Sequence, residues 1–246
     1  MRIAFISDIH GNVEALKTVL QDIDDHGGAD LFCCNGDLVG YYAHPRESIS
    51  LVRETCGKRV IVGNHDEVVR VNGQEEFENE IEWFNHIARK ALVWTRNELL
   101  DTEQMQYLRA LPIQKEINAQ SKKILLVHGT PEEKWEYFIV YQGPGGLMAE
   151  QKTRMRGWLK KWDIVVLGHT HIAFSYKFRG RYVINPGSVG QPRDGDPRAS
   201  YAIVDLTDTN IKAQLKRVDY SIENTCNSLA KVDLDDYLCQ RLYNGR

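Results

Sequence analysis

Five short apolar runs in this chain each stop at a glycine-flanked cluster of metal-binding side chains. Residues 2–7 run into Asp8-Ile9-His10-Gly11, and residues 30–34 lead to Gly36-Asp37. Residues 59–62 precede Gly63-Asn64-His65-Asp66, residues 123–127 precede His128-Gly129, and residues 163–167 precede Gly168-His169-Thr170-His171. Apolar runs of this length read as buried strands. In open α/β sheets ligands collect beyond the carboxyl ends of strands, so five such ends can converge on one crevice. The adjoining glycines suit tight turns and close approach of a ligand to the backbone. Taken singly, each segment has a bland reading as a loop carboxylate or a hydrogen-bonded histidine. Gly-His-Thr-His is the strongest alone, because alternate residues leaving a strand can aim two imidazoles at one centre. The argument rests on all five occurring in order.

The segments between them support an α/β fold. Val13, Leu16, Leu20 and Ile23 recur at helical spacing behind a candidate N-cap, Asn12, and Gly27-Gly28 stops that helix. Residues 76–111 read as helical, with Asp101 and Gln104 as a capping pair and Pro112 as the stop. Further on, residues 174–178 and 181–184 flank Arg179-Gly180 as a hairpin, and residues 201–206 and 211–218 bracket a second turn. The tail, residues 221–242, reads as helical. No repeat, low-complexity tract or linker divides the chain, so residues 1–246 are expected to form one domain. Two stretches exceed what connectivity requires, about 67–112 and 130–158. They carry Trp83, Phe84, His86 and Trp94, and then Trp135, Tyr137, Phe138 and Tyr141 ahead of a Gly143-Pro144-Gly145-Gly146 turn. Such inserts suit a cap over the site, with aromatics placed to stack on a nucleobase.

Composition narrows the function classes. The formal net charge of -3 provides no basic surplus of the kind that phosphate neutralisation demands, so stable nucleic-acid binding is not expected. No run of 18 apolar residues exists to span a membrane. The first apolar run is too short for a signal-peptide core, and a cytoplasmic location is the expectation. Five cysteines, Cys33, Cys34, Cys56, Cys226 and Cys239, cannot all pair within one chain and lack CxxC spacing, which favours reduced, mostly buried thiols.

Carboxylate, imidazole and amide oxygen without thiolate suit Mn, Fe, Co, Ni or Zn, with Mn favoured here, and contain too much nitrogen for calcium. There are more candidate ligands than one ion uses, so two divalent ions are expected, with one bridging carboxylate. Asp37 is the economical bridge, since its strand is expected to lie between the other two.

Asp8-x-His10, Gly36-Asp37, Gly63-Asn64-His65-Asp66, His128-Gly129 and Gly168-His169-x-His171 together resemble the signature of the calcineurin-like metallophosphoesterases. Asn185-Pro186-Gly187-Ser188-Val189-Gly190 is similar to a segment of their small bacterial and archaeal phosphodiesterase branch. The resemblance runs from Asp8 to about Arg193. It implies a four-layer αββα sandwich of two mixed sheets flanked by helices. It also implies that Asp8, His10 and His171 hold one ion, that Asn64, His128 and His169 hold the other, and that Asp37 bridges them. His65 would stand near the leaving group with Asp66 orienting it. The activity implied is hydrolysis of a small phosphodiester or phosphomonoester, a nucleotide among the candidates, by water activated between the ions. A phosphoprotein phosphatase, a dinucleoside polyphosphate hydrolase and a nuclease use the same core, and some coat-complex subunits use the fold as a non-catalytic scaffold. Arg193 and Tyr41 are the candidate substrate contacts, and Tyr42 borders the site. Oligomeric state is not legible at this level.

Overall fold

The computed structural model describes residues 1–140, 147–232 and 234–246. Tyr141 and the Gly143–Gly146 turn lie outside the described residues. Strands β1 (Arg2–Ile6) and β2 (Leu31–Cys34) pair in parallel, and β8 (Ala199–Leu206) and β9 (Ile211–Val218) complete a mixed sheet in the order β2-β1-β8-β9. The second sheet runs β3 (Gln114–Ala119), β4 (Lys122–Val127), β5 (Ile164–Val166), β7 (Arg181–Asn185), β6 (Phe174–Phe178), and its three central strands are parallel.

The alternation of side chains along each strand builds the layers. Ile3 and Phe5 of β1 point between the sheets, where they meet Ile124, Leu126, Ile164 and Val166. Ala4 and Ile6 point outward onto helices α1 (Val13–Asp25) and α2 (Pro45–Cys56), against Leu16, Val19, Ile49 and Val52. On the far side, Leu125, Val127 and Val165 pack on Met155 and Trp158 of α7 (Ala149–Trp158). Helices therefore cover both outer faces of two stacked mixed sheets, the expected αββα sandwich.

Several local expectations hold. The Asn12 side chain accepts from the Ala15 N–H and caps α1, and Gly27 and Gly28 take φ of 98° and 67° just after it. Arg179 and Gly180 both have positive φ between β6 and β7, the geometry a two-residue hairpin turn requires.

Others need correction. Residues 59–62 form no ladder strand, only a single parallel bridge from Val60 to Cys34. β2 is the last ladder strand of its sheet, and it lies between β1 and residues 59–62 as expected, joined to the first as a strand and to the second through that bridge. The helical stretch 76–111 is three helices, α4 (Gln74–Ile81), α5 (His86–Leu99) and α6 (Glu103–Ala110), following the short α3 (Asn64–Arg70). The cap of α6 is Thr102, whose hydroxyl accepts from the Met105 N–H, and Asp101 turns the chain ahead of it at φ 58°. The tail is likewise two helices, α8 (Ile222–Leu229) and α9 (Tyr237–Asn244). They bring Cys226 and Cys239 to a Cα separation of 5.5 Å and join them as a disulfide, so these two are not reduced thiols. Cys33, Cys34 and Cys56 are free and buried.

One buried side chain ties the sheets together at the edge where the motifs meet. Asn35, at the end of β2, donates through Nδ2 to the Val127 carbonyl at 2.9 Å and to the Val166 carbonyl at 2.7 Å, both in the opposite sheet. An Asn35→Ala variant strands both carbonyls in a dry interior and should lose about 2–4 kcal/mol of unfolding free energy in urea titrations. An unchanged midpoint would show that the bridge between sheets is dispensable.

Candidate metal centre

The turns after β1, β2, β4 and β5, with the N-terminus of α3, meet at one edge of the sandwich. Five of the motif residues sit in the left-handed region: Asp8 (φ 54°), His10 (55°), Asp37 (51°), His169 (68°) and His171 (59°). Such conformations cost a non-glycine residue about 1–3 kcal/mol each and persist where the surroundings over-determine them. Their concentration in one cluster marks a site built for side-chain direction rather than backbone comfort.

Backbone and side-chain bonds hold the turns. The Asp8 N–H donates to the Gly36 carbonyl, and the Ile9 and His10 N–H groups both donate to Asp37 O, locking the first two motifs together. The Asn185–Gly190 segment braces them from below. Ser188 Oγ donates to Asp8 O at 2.6 Å, and Asn185 Nδ2 donates to Gly168 O at 2.8 Å. A Cβ on Gly190 would stand 1.8 Å from the Ile9 carbonyl oxygen, so only glycine fits there.

The side chains then converge. Asp8, His10, Asp37 and His171 form one group of potential ligand atoms lying within 4.8 Å of one another, and Asp37, His128 and His169 form a second. Asp37 belongs to both. These groups hold the residues of the two sets that the family resemblance implies, apart from Asn64, whose amide oxygen is buried without a hydrogen-bond partner at the N-terminus of α3.

The imidazole tautomers test whether cations fit. His10 Nδ1 faces the Val39 carbonyl at 3.1 Å, His128 Nδ1 faces the Asn35 carbonyl at 2.6 Å, and His171 Nδ1 faces the Gln191 carbonyl. A carbonyl only accepts, so each Nδ1 carries a proton, and the neutral His10 and His171 rings present bare lone pairs at Nε2. Yet His10 Nε2 and His171 Nε2 lie 3.0 Å apart, and His128 Nε2 is 3.4 Å from Asp37 Oδ2. The two lone pairs aimed at one another repel unless positive charge lies between them, and at His128 that charge is a second proton, held against Asp37 until a metal ion replaces it. The donor set and its orientation therefore fit divalent metal ions, with the Nδ1–carbonyl bonds acting as the outer supports that fix ligand direction.

Electrostatics agree. Burial works to raise the Asp37 carboxyl, but the His128, His65 and His10 imidazoles outweigh it and hold the group well below the usual carboxylate range. Burial, reinforced by Asp37 and partly relieved by His128, pushes Asp8 up to about 7. His128 is pushed up to about 9: burial opposes its charge, but the Asp37 and Asp8 carboxylates prevail. Burial lowers His169 to about 3 and takes His10 and His171 well below the ordinary imidazole value. Most rings are therefore neutral and ready to coordinate at neutral pH.

Around this cluster the remaining motif residues take distinct places. The His65 ring stands 4.7 Å from both His10 and Tyr41 and 5.0 Å from Phe84. Asp66 does not orient it. Instead the Asp66 carboxylate accepts from the Leu38, Val39 and Gly63 N–H groups and pins the loop after Asp37 to the start of α3. A carboxylate facing three backbone donors is already satisfied, and His65 Nδ1 has no hydrogen-bond partner. Arg193 is half-buried rather than an exposed loop residue; it reaches Tyr41 OH and Tyr137 OH at 3.4 Å each and Gln191 Oε1 at 2.9 Å. Tyr42 is fully buried and bonds Gln191 and Leu238, so it supports the site without lining it. Phe138 packs on Trp158 in the core, and Trp94 packs with the C-terminal helices. Asn35 and Gln191 escaped the sequence motifs. Asn35 adjoins Gly36-Asp37, and a lone polar residue ending an apolar strand was the available signal.

A family model described as the calcineurin-like phosphoesterase superfamily domain matches residues 1–209. The phosphodiesterase YfcE of Escherichia coli is 27% identical over 87% of this chain and 97% of its own. An uncharacterized protein of Methanocaldococcus jannaschii is 36% identical over 99% of this chain and 98% of its own. Among solved structures, a metallophosphoesterase from Sphaerobacter thermophilus superposes with a TM-score of 0.79 at 32% identity, covering 100% of this chain and 99% of that one. A hypothetical protein from Pyrococcus horikoshii reaches 0.85 at 22% identity over 100% and 98% of the two chains, a likeness of fold.

Metal uptake should be proton-linked. His128 of the metal-free protein keeps its proton up to about pH 9, whereas an ion needs the Nε2 lone pair. Between pH 7 and 8 binding must expel roughly one proton, from His128, and apparent affinity should rise about tenfold per pH unit; below pH 7, where the Asp8 carboxyl is protonated as well, release approaches two protons and the slope steepens. Calorimetric titration of Mn²⁺ into chelator-stripped protein, in buffers of different ionisation enthalpy, reads this directly. Binding without proton release would show that His128 is not a ligand.

Proposed function

The chain belongs to the calcineurin-like phosphoesterase superfamily, and on that premise we propose a dinuclear metal-dependent phosphoesterase acting on small phosphodiesters or phosphomonoesters. As a metal-dependent phosphoesterase it is a hydrolase; the ion count, the ion identity and the substrate are the proposal. In this reading Asp8, His10 and His171 hold one ion, Asn64, His128 and His169 the other, and Asp37 bridges. The observation that carries it is the pair of Nε2 lone pairs, on His10 and His171, facing each other at 3.0 Å beside the shared Asp37 carboxylate. Mn²⁺ is the favoured ion for this oxygen and nitrogen donor set, with Fe, Zn, Co or Ni as alternatives. Two such ions would supply Lewis-acid charge to the phosphoryl oxygens and lower the pKa of the attacking water.

The chain's own residues do the rest. Arg193 stands over the cluster with only neutral partners, Tyr41, Tyr137 and Gln191, in its hydrogen bonds, so its charge is available to a phosphate oxygen. His65 is held down to about 4 by burial, so at neutral pH it is a neutral imidazole. It serves the leaving oxygen by donating an N–H hydrogen bond from a fixed ring, not by carrying a preformed positive charge. Asp66 keeps the loop bearing Asp37 in register with His65, whose own N–H donates to Asp37 Oδ1 at 2.8 Å. Trp83 and Phe84 of residues 67–112 and Trp135 of residues 130–140 line the cleft beside Asn64 and His169 and read as the cap on a single domain.

His65→Ala should retain its metals and lose about 10²–10³-fold in kcat on bis-p-nitrophenyl phosphate, the range for one preorganised hydrogen-bond donor. Unchanged turnover would remove His65 from the mechanism. Arg193→Ala should raise KM with a smaller effect on metal content. An unaltered KM would return Arg193 to a purely structural role.

A further inference from the structure

Trp83 is the most solvent-exposed of the large apolar side chains described, at 88%. It follows α4 and stands at the lip of a cleft of about 510 Å³ that opens onto Asn64 and His169. That volume lies in the range of small-molecule sites. Phe84 and Trp135 supply further aromatic wall, and Phe84 continues inward to the edge of the His65 ring. The cleft's charges are all of one sign. Glu67 and Glu80 line it, and among the described residues no lysine or arginine does. Glu67 is tied to Arg70, which leaves Glu80 as the carboxylate with free capacity toward the cleft. Lys134 stacks over Trp135 at 5.1 Å but is not among the lining residues. Arg193, between Tyr41 and Tyr137, and Arg241, over the Tyr41 ring at 5.7 Å, are not among the lining residues either.

The site is therefore polar in the literal sense, with a cation over one part of the ligand cluster and an acidic, aromatic cleft beside another. We propose that this cleft is the subsite for the organic substituent of a phosphodiester, and that it takes a nucleobase bearing an exocyclic amine. The proposal rests on the phosphoesterase reading and adds the substrate class to it. Stacking on an exposed indole needs only a π-face, which every base has. The carboxylate of Glu80 adds the discrimination, because it accepts hydrogen bonds and repels anions: adenine, guanine and cytosine present N–H₂ donors, whereas uracil and thymine present carbonyls at the corresponding edge. A substituent carrying further phosphates would bring its charge against Glu80. On these grounds a dinucleoside polyphosphate is a poor occupant, and a diester with a single phosphate is a good one.

The test compares three substrates that share one reacting group, a five-membered cyclic phosphodiester: 2′,3′-cyclic AMP, 2′,3′-cyclic UMP and glycerol 1,2-cyclic phosphate. With Mn²⁺-loaded enzyme, Trp83→Ala should lower kcat/KM for cyclic AMP about tenfold or more while moving that for the glycerol ester less than twofold. Glu80→Gln should narrow the preference for cyclic AMP over cyclic UMP. Trp83 is exposed, so its removal leaves the fold intact. Equal losses on the base-bearing and base-free substrates, or no loss on either, would overturn the proposal. Tryptophan fluorescence quenching by cyclic AMP separates the two readings. Quenching that requires Trp83, in a loaded protein that turns over no phosphoester, would keep the cleft and sink the catalytic reading. Turnover indifferent to both Trp83 and Glu80 would do the reverse.

Discussion

The structure turns on imidazole lone pairs held where no neutral partner can satisfy them. His10 and His171 direct Nε2 lone pairs at each other, and His128 directs a protonated Nε2 at Asp37. Each ring is fixed in that orientation by a carbonyl on its other nitrogen. A protein pays for such an arrangement in both electrostatics and backbone strain, with five cluster residues in the left-handed region. Cations offset both: they neutralise the converging lone pairs and carboxylates, and they make the side-chain directions imposed by the strained turns productive.

The fold exists to deliver those directions. Two stacked sheets contribute strand ends to one edge, β1 and β2 from one sheet, β4 and β5 from the other. Asn35 spans the gap, and its backbone carbonyl also orients His128, so the residue that fastens the sheets positions a candidate ligand as well. The Asn185–Gly190 segment performs the same service for Asp8 and His169, although it contributes no candidate ligand itself.

The site was more legible in the sequence than the fold around it. Ligand-bearing turns show directly because Asp, Asn and His beside glycine are unlike strand interiors. Residues 59–62 look like a strand from hydrophobicity alone, yet only Val60 finds a bridge, because pairing depends on a neighbour the local pattern does not specify. Asp66 was misassigned for a related reason. Its place beside His65 in sequence says nothing of the three N–H groups that fold around it from two different loops. The disulfide between α8 and α9 and the burial of Arg193 over the cluster were likewise invisible, since both arise from long-range packing.

The central claim is that two ions share Asp37. Diffraction from crystals of Mn²⁺-loaded protein, with data collected at the manganese absorption edge, tests it most directly. The account predicts two anomalous peaks about 3.5–4 Å apart, one on either side of the Asp37 carboxylate. A single peak, or none with ordered water between His10 and His171, would contradict it.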